Sequence, residues 1–111
     1  MEEQVQESME KVSPQPMNVL VFGKHDYIVN NTQTILSKGG YEVVCFVDRE
    51  NARMYLTANP CDMIFFVGGV DPHDRLFLKG VIDESAPHVK LLDHFGGPAT
   101  ILQEVNTAFG K

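Results

Sequence analysis

The feature that most constrains the fold is the apolar run Met63–Val67, which consists of Met-Ile-Phe-Phe-Val. The run is too short for a helix and is rich in aromatic and β-branched residues, a pattern typical of a strand buried on both faces of a parallel sheet. Gly68 and Gly69 follow, and glycine allows the backbone to turn. Asp71 and Pro72 then predict a helix start, with an aspartate N-cap and a proline in the first helical position.

Composition limits the chain to one globular domain with an ordinary balance of residues. It has 111 residues, of which 43% are hydrophobic and 22% charged. Its net charge of -6 argues against nucleic acid as a partner, because binding to phosphates requires a basic surface. No apolar run approaches the roughly 20 residues of a membrane span, and the acidic N-terminus is unlike a secretory signal. We therefore expect a cytoplasmic protein with neither a membrane nor a nucleic-acid partner.

Strand and helix patterns alternate along the remainder of the chain, with short loops between them. The predicted strands cover residues 17–22, 41–46, 63–67 and 88–92, and the predicted helices cover residues 27–37, 49–58, 72–84 and 98–109. We expect Asp26 and Asp48 to cap the first two helices, and close helix–sheet packing to explain Gly80 in the third. Four β–α repeats predict one parallel sheet with right-handed crossovers and helices on both faces.

The sequence divides into an acidic N-terminal segment, residues 1–16, and an α/β domain, residues 17–111. Four glutamates against one lysine give the segment a net charge of -3. We predict a flexible tail that ends at Pro14 and Pro16. Val5, Met9 and Val12 have helical spacing, which leaves open a short amphipathic helix that docks on a partner or on the domain itself.

Several stretches of this chain resemble the receiver domains of response regulators. They are Val-Leu-Val-Phe at 19–22, Leu-Ser-Lys-Gly-Gly-Tyr-Glu-Val-Val at 36–44, Asn-Ala at 51–52 with Leu56, and Pro-Cys-Asp-Met-Ile-Phe-Phe at 60–66. The resemblance covers about residues 17–109. It implies a flavodoxin-like fold, a three-layer sandwich whose parallel sheet has about four strands in the order 2-1-3-4.

The residues that receivers use for phosphoryl transfer are replaced in this chain. Gly23 and Lys24 stand where the resemblance implies an acidic magnesium-binding pair, and Val67 stands at the phosphoacceptor position. Asp93 or His94 replaces a serine or threonine, and the usual lysine follows a fifth strand that the pattern does not predict here. Valine supplies no carboxylate nucleophile, and magnesium prefers carboxylate oxygens. We therefore expect a non-catalytic, phosphorylation-independent domain without a cofactor.

The loops after strands 1 and 3 form an alternative site, for a small ligand or a nucleotide. In a sheet of order 2-1-3-4 the strand order reverses between these strands, where open α/β sheets bind ligands. The predicted rim consists of Gly23, Lys24, His25, Asp26, Gly68, Gly69 and Asp71. Its lysine and its glycine amides suit an anion. The alternative is that the glycine pair only turns the chain, as any strand-to-helix loop requires.

Neither a metal site nor an active site is predicted from the remaining polar residues. A zinc site at His25, His73 and His94 is conceivable, but no pair of them has the i, i+4 spacing of a helical motif. Cys45 and Cys61 lack a C-x-x-C spacing, which favours reduced thiols over redox or metal chemistry. We found no combination of nucleophile and base, and therefore predict that the protein is not an enzyme.

The missing fifth strand predicts an interaction surface. Without it the fourth strand is an edge, and the unpaired backbone groups of an edge invite pairing with another chain. We expect Val89, Leu91 and Leu92, with Phe109 of the last helix, to contact a protein partner or a second copy of the chain. The family resemblance also implies that the last helix forms part of this surface, because many receivers dimerise through that helix. The alternative is that Lys90 protects the edge from such pairing.

Overall fold

The computed structural model describes residues 17–94 and 96–111, in which four strands alternate with four α-helices. The strands are β1 (Asn18–Gly23), β2 (Glu42–Phe46), β3 (Met63–Val67) and β4 (Lys90–Asp93). The helices are α1 (Asp26–Lys38), α2 (Arg49–Ala58), α3 (Pro72–Ser85) and α4 (Ile101–Ala108), with a 3-10 turn at Pro98–Thr100 before the last. The predicted flexible tail at residues 1–16 and its possible helix lie outside the described residues.

All four strands are parallel and form one sheet in the order β2-β1-β3-β4. The predicted α/β class, flavodoxin-like topology and strand order are confirmed. The register places Gly23 at the end of β1 beside Val67 at the end of β3, and Phe66 beside Asp93 at the end of β4. Consequently, the carboxyl ends of β1, β3 and β4, where the predicted site residues lie, are at the same end of the sheet.

The two faces of the sheet carry separate hydrophobic clusters, and β3 contributes to both. Ile64 and Phe66 pack with residues of α2 and α3 on one face. Met63, Phe65 and Val67 pack with residues of α1 and α4 on the other. Every residue of β3 is buried. A fully buried side chain of this size contributes about 1.5–3 kcal/mol, which explains why an unbroken apolar run forms the central strand.

Two of the predicted helix starts have the expected caps. The Asp48 carboxylate accepts a hydrogen bond of 3.0 Å from the backbone N–H of Asn51, at the start of α2. The Asp71 carboxylate accepts one of 2.7 Å from the backbone N–H of His73, with Pro72 in the first helical position of α3. Each bond satisfies an N–H group that has no partner within its helix.

Two local predictions are wrong. Asp26 is not the N-cap of α1: His25 holds that position without a side-chain cap, and Asp26 is the first helical residue, where its charge complements the positive end of the helix. Gly80 does not pack closely against the sheet, because a Cβ atom added there would meet nothing within 4 Å.

Replacing Asp48 with alanine tests the cap of α2. Asp48→Ala is expected to lower the free energy of unfolding by about 1 kcal/mol, because the Asn51 N–H loses its acceptor. Asp48→Asn is the matched control, since it keeps an oxygen acceptor at the same place. Urea unfolding followed by circular dichroism measures both variants, and equal stability of Asp48→Ala and the parent would contradict this role of Asp48.

Candidate functional site

Valine side chains fill the space between the carboxyl ends of β1 and β3. A Cβ atom on Gly23 would lie 2.9 Å from Val67 Cγ2, 2.9 Å from the Val67 carbonyl oxygen and 3.0 Å from Val29 Cγ2. Val67 itself is only 2% exposed. The backbone at Gly23 therefore leaves no room for a side chain, and the two valines occupy the space beside it.

Asp71, a neighbouring polar residue at the ends of these strands, is engaged with His73. Gly23, Lys24 and Asp71 line a hollow of about 230 Å³ on the α2–α3 side. The hydrogen bond from the His73 N–H lowers the pKa of Asp71. Asp71 thus acts as a helix cap.

The end of β4 is fixed by a bidentate ion pair. Arg75 of α3 donates to both carboxylate oxygens of Asp93, at 2.8 Å from Nε and 2.6 Å from Nη2. The bond from Arg75 to Asp93 raises the pKa of the arginine, and the guanidinium also lies 5.4 Å from the centre of the Phe66 ring. Bidentate pairs of this kind have a fixed geometry, so α3 and β4 are held in one arrangement.

A second polar contact joins the end of β4 to α4. His94 Nδ1 lies 2.9 Å from Glu104 Oε1, and the backbone N–H of His94 donates to the Phe66 carbonyl at 3.0 Å. The imidazole ring meets the Phe65 ring edge-on, with 5.7 Å between centroids. The residues after β4 are therefore tied to both the sheet and α4.

The predicted ligand rim is divided between cavities. Gly68 and Gly69, which have φ values of 50° and 70°, line a pocket of about 530 Å³ together with Tyr27 and His94. The other members of the rim, Gly23, Lys24 and Asp71, line the separate hollow on the α2–α3 side. His25 lies against the Tyr27 ring, with 5.8 Å between centroids, and Asp26 begins α1.

An open groove lies at the β4 edge of the sheet. A groove of about 710 Å³, here called the β4–α4 groove, runs between this strand and the last helix. It is lined by Leu91, Leu92, Asp93, Thr100, Gln103, Glu104, Thr107 and Ala108. Leu91 and Leu92 are partly exposed, and Leu92 packs on the face of the sheet that α4 covers, whereas Leu91 packs on the opposite face. Within the described part of the chain, β4 pairs only with β3.

Two of the four predicted surface residues line the β4–α4 groove, and two do not. Leu91 and Leu92 line it. Val89 precedes β4, is 5% exposed and packs in the core. Phe109 stacks on the Tyr41 ring, with 5.8 Å between centroids, and packs on the α1–α4 cluster.

Polar residues of α4 complete the groove and were missed in the sequence analysis. Gln103 and Thr107 are spaced i, i+4 on the side of the helix away from the buried Ile101 and Val105. The signal was present in the sequence as this second face of an amphipathic helix. The apolar stripe of the same helix instead favours Phe109, which packs on the α1–α4 cluster.

The described residues offer few reactive groups. Burial raises the pKa of the Cys45 thiol to about 11, so the thiol is protonated and a weak nucleophile at neutral pH. Within residues 17–94 and 96–111, no three histidine, cysteine, aspartate or glutamate side chains come together as a metal site.

No helix in this part of the chain is long and apolar enough to cross a membrane.

Comparison with known proteins adds no family assignment. The sequence matches no family model, and a search of curated proteins found no match.

Alanine substitutions at two glycines test the tight contact between β1 and β3. Gly23→Ala is expected to lower the free energy of unfolding by about 1–3 kcal/mol, because the new methyl group overlaps the Val67 carbonyl. Gly80→Ala, the matched control, meets open space in a helix and is expected to raise it by about 0.5–1 kcal/mol. Urea unfolding of both variants gives the two values. Equal effects at the two positions would contradict the close packing around Gly23.

Proposed function

We propose that this protein is a non-catalytic, phosphorylation-independent receiver-like domain that acts as a protein–protein interaction module in signalling or regulation. The observation that supports this best is the β4–α4 groove, where a partly apolar cavity of about 710 Å³ lies against an edge strand. The proposed partner binds to β4 and α4. Catalysis, cofactors, nucleic acid and membranes have no part in this proposal.

Phosphorylation independence is supported by the packing at the ends of β1 and β3. The Val67 side chain supplies no oxygen and is packed against Gly23, at the position where receivers carry their phosphoacceptor. An acidic side chain at position 23 would overlap Val67 and Val29, because even a Cβ atom there lies within 3.0 Å of both. Lys24 adds a positive charge that would repel a divalent cation bound nearby.

The interaction role is supported by the exposed character of the sheet edge. An edge strand presents N–H and C=O groups that another chain can pair with, and it carries a risk of aggregation unless it is covered or protected. Leu91 and Leu92 add apolar surface at this edge, while Gln103, Glu104 and Thr107 place polar groups along the opposite wall. Protein interfaces commonly combine an apolar centre with a polar rim.

A cytoplasmic location forms part of the same proposal. Cys45 and Cys61 are both free thiols, and free thiols persist in reducing compartments.

The second candidate is a domain that binds a small ligand or a nucleotide. It is favoured by the pocket of about 530 Å³ beside Gly68 and Gly69, a volume within the range of small-molecule sites. Consecutive left-handed glycines bring backbone close to this pocket without side chains in the way.

A phosphoryl mimic separates these candidates from a phosphorylated receiver. Addition of magnesium and beryllofluoride is expected to leave the amide NMR signals of Gly23, Val67 and Asp93 unchanged, because no carboxylate is available at the end of β3. A panel of nucleotides added to the same sample serves as the comparison. Shifts at Gly68 and Gly69 with a nucleotide would favour the ligand-binding candidate, and shifts with beryllofluoride would contradict both.

Site-specific photo-crosslinking tests the interaction role. A photoreactive amino acid at Gln103, an exposed position in the β4–α4 groove, is expected to form protein adducts when the full chain is expressed in its native host. Thr57, an exposed polar residue on α2, is the matched control. Adducts at position 103 and not at position 57 support the proposal, whereas no adduct at 103, or equal yields at both positions, would contradict it.

A further inference from the structure

The direction of the backbone groups of β4 determines which of them face the open edge. The N–H groups of Lys90 and His94 donate to the Asp62 and Phe66 carbonyls of the β3 side, at 3.0 Å in each case. Because backbone groups alternate in direction along a strand, Leu92 faces β3 as well. The N–H and C=O groups of Leu91 and Asp93 therefore point away from β3, towards the β4–α4 groove.

We propose that a second copy of this chain covers this edge, with the two β4 strands antiparallel and Leu92 opposite Leu92 across a two-fold axis. The inference rests on the proposed function and specifies its partner. In this register, Leu91 of each copy lies opposite Asp93 of the other, and the two residues exchange both of their backbone hydrogen bonds. Four interchain bonds then satisfy every outward N–H and C=O group of these two residues.

The neighbouring register satisfies fewer groups. With Leu91 opposite Leu91, Asp93 would face Val89 of the other copy. The Val89 N–H already donates to the Ala86 carbonyl at 2.9 Å, so the Asp93 carbonyl would have no donor. A two-fold axis normal to the sheet leaves each side chain on the face of the sheet that it already occupies. A register centred between Leu91 and Leu92 would place side chains of opposite faces across from one another, and it is therefore excluded. The pairing centred on Leu92 is therefore the one that β4 favours.

Side chains at this edge suit the same pairing. Leu92 belongs to the cluster on the α1–α4 face, so the two copies of Leu92 would meet on the side of the β4–α4 groove. Lys90 is exposed and lies on the same face, two residues away. In the Leu92-centred register it faces His94 of the other copy, beside the Glu104 carboxylate that contacts His94 Nδ1. A lysine of one copy thus meets a carboxylate of the other.

The N-terminal segment of the chain is a poorer occupant of the same groove. Residues 1–16 contain four glutamates and one lysine, and the acidic residue Glu104 lines the groove. Like charges directly opposite one another are destabilising. A second copy brings Lys90 to this surface instead.

Disulfide trapping tests the register in the full-length chain. Leu92→Cys, made together with Cys45→Ser, is expected to form a disulfide-linked dimer under mild oxidation, because residues opposite one another at a non-hydrogen-bonded position are about 4.5 Å apart at Cα. Lys90→Cys in the same background is the matched control. Its two copies would be offset by four residues, about 13 Å along the strands, which is too far for a disulfide. We expect at least about tenfold more linked dimer for Leu92→Cys.

Sedimentation of the unmodified chain tests self-association without any substitution. A dimer at micromolar concentration that is lost in Leu92→Lys is the expected result. A monomer at high micromolar concentration, or equal disulfide yields at positions 90 and 92, would overturn self-pairing. Adducts at Gln103 with a different protein, seen together with a monomeric chain, would overturn this inference and leave the proposed interaction role standing.

Discussion

The structure depends on a central strand that is buried on both of its faces. The five residues of β3 are sealed by α1 and α4 on one side and by α2 and α3 on the other. A helix joins each strand to the next, and these crossovers make the sheet parallel and cover both of its faces. Within residues 17–94 and 96–111 the sheet ends at β4, so this strand beside β3 is an edge.

Close packing at the ends of β1 and β3 links this architecture to the proposed independence from phosphorylation. Gly23 passes Val67 with no room for a Cβ atom, and Val29 closes the remaining space. The backbone at position 23 does not admit an acidic side chain, so a magnesium ion at a carboxylate introduced at position 67 would have no ligand from position 23. The side chain of Val67 and the absence of a side chain at Gly23 are therefore complementary in shape. The proposed interaction surface lies elsewhere, at β4.

Most of the fold could be predicted because its signals are local. The run in β3, the caps at Asp48 and Asp71 and the strand–helix alternation each identify an element from its own residues. Asp26 was misassigned because an aspartate beside a helix start suits the cap and the first turn equally well. Phe109 illustrates the limit for the candidate site, since its contact with Tyr41 depends on how α4 is rotated over the sheet. A sequence pattern does not specify that rotation.

The most direct test is hydrogen exchange at the amides of β4. It measures whether the outward N–H groups of this strand are unpaired in a single chain and hydrogen-bonded when a second copy binds. The N–H groups of Leu91 and Asp93 face outward, whereas that of Leu92 faces β3. Exchange at Leu91 and Asp93 is expected to slow as protein concentration rises, while exchange at Leu92 is expected not to change. Full protection of Leu91 and Asp93 at the lowest concentration, or no protection at the highest, would contradict this expectation.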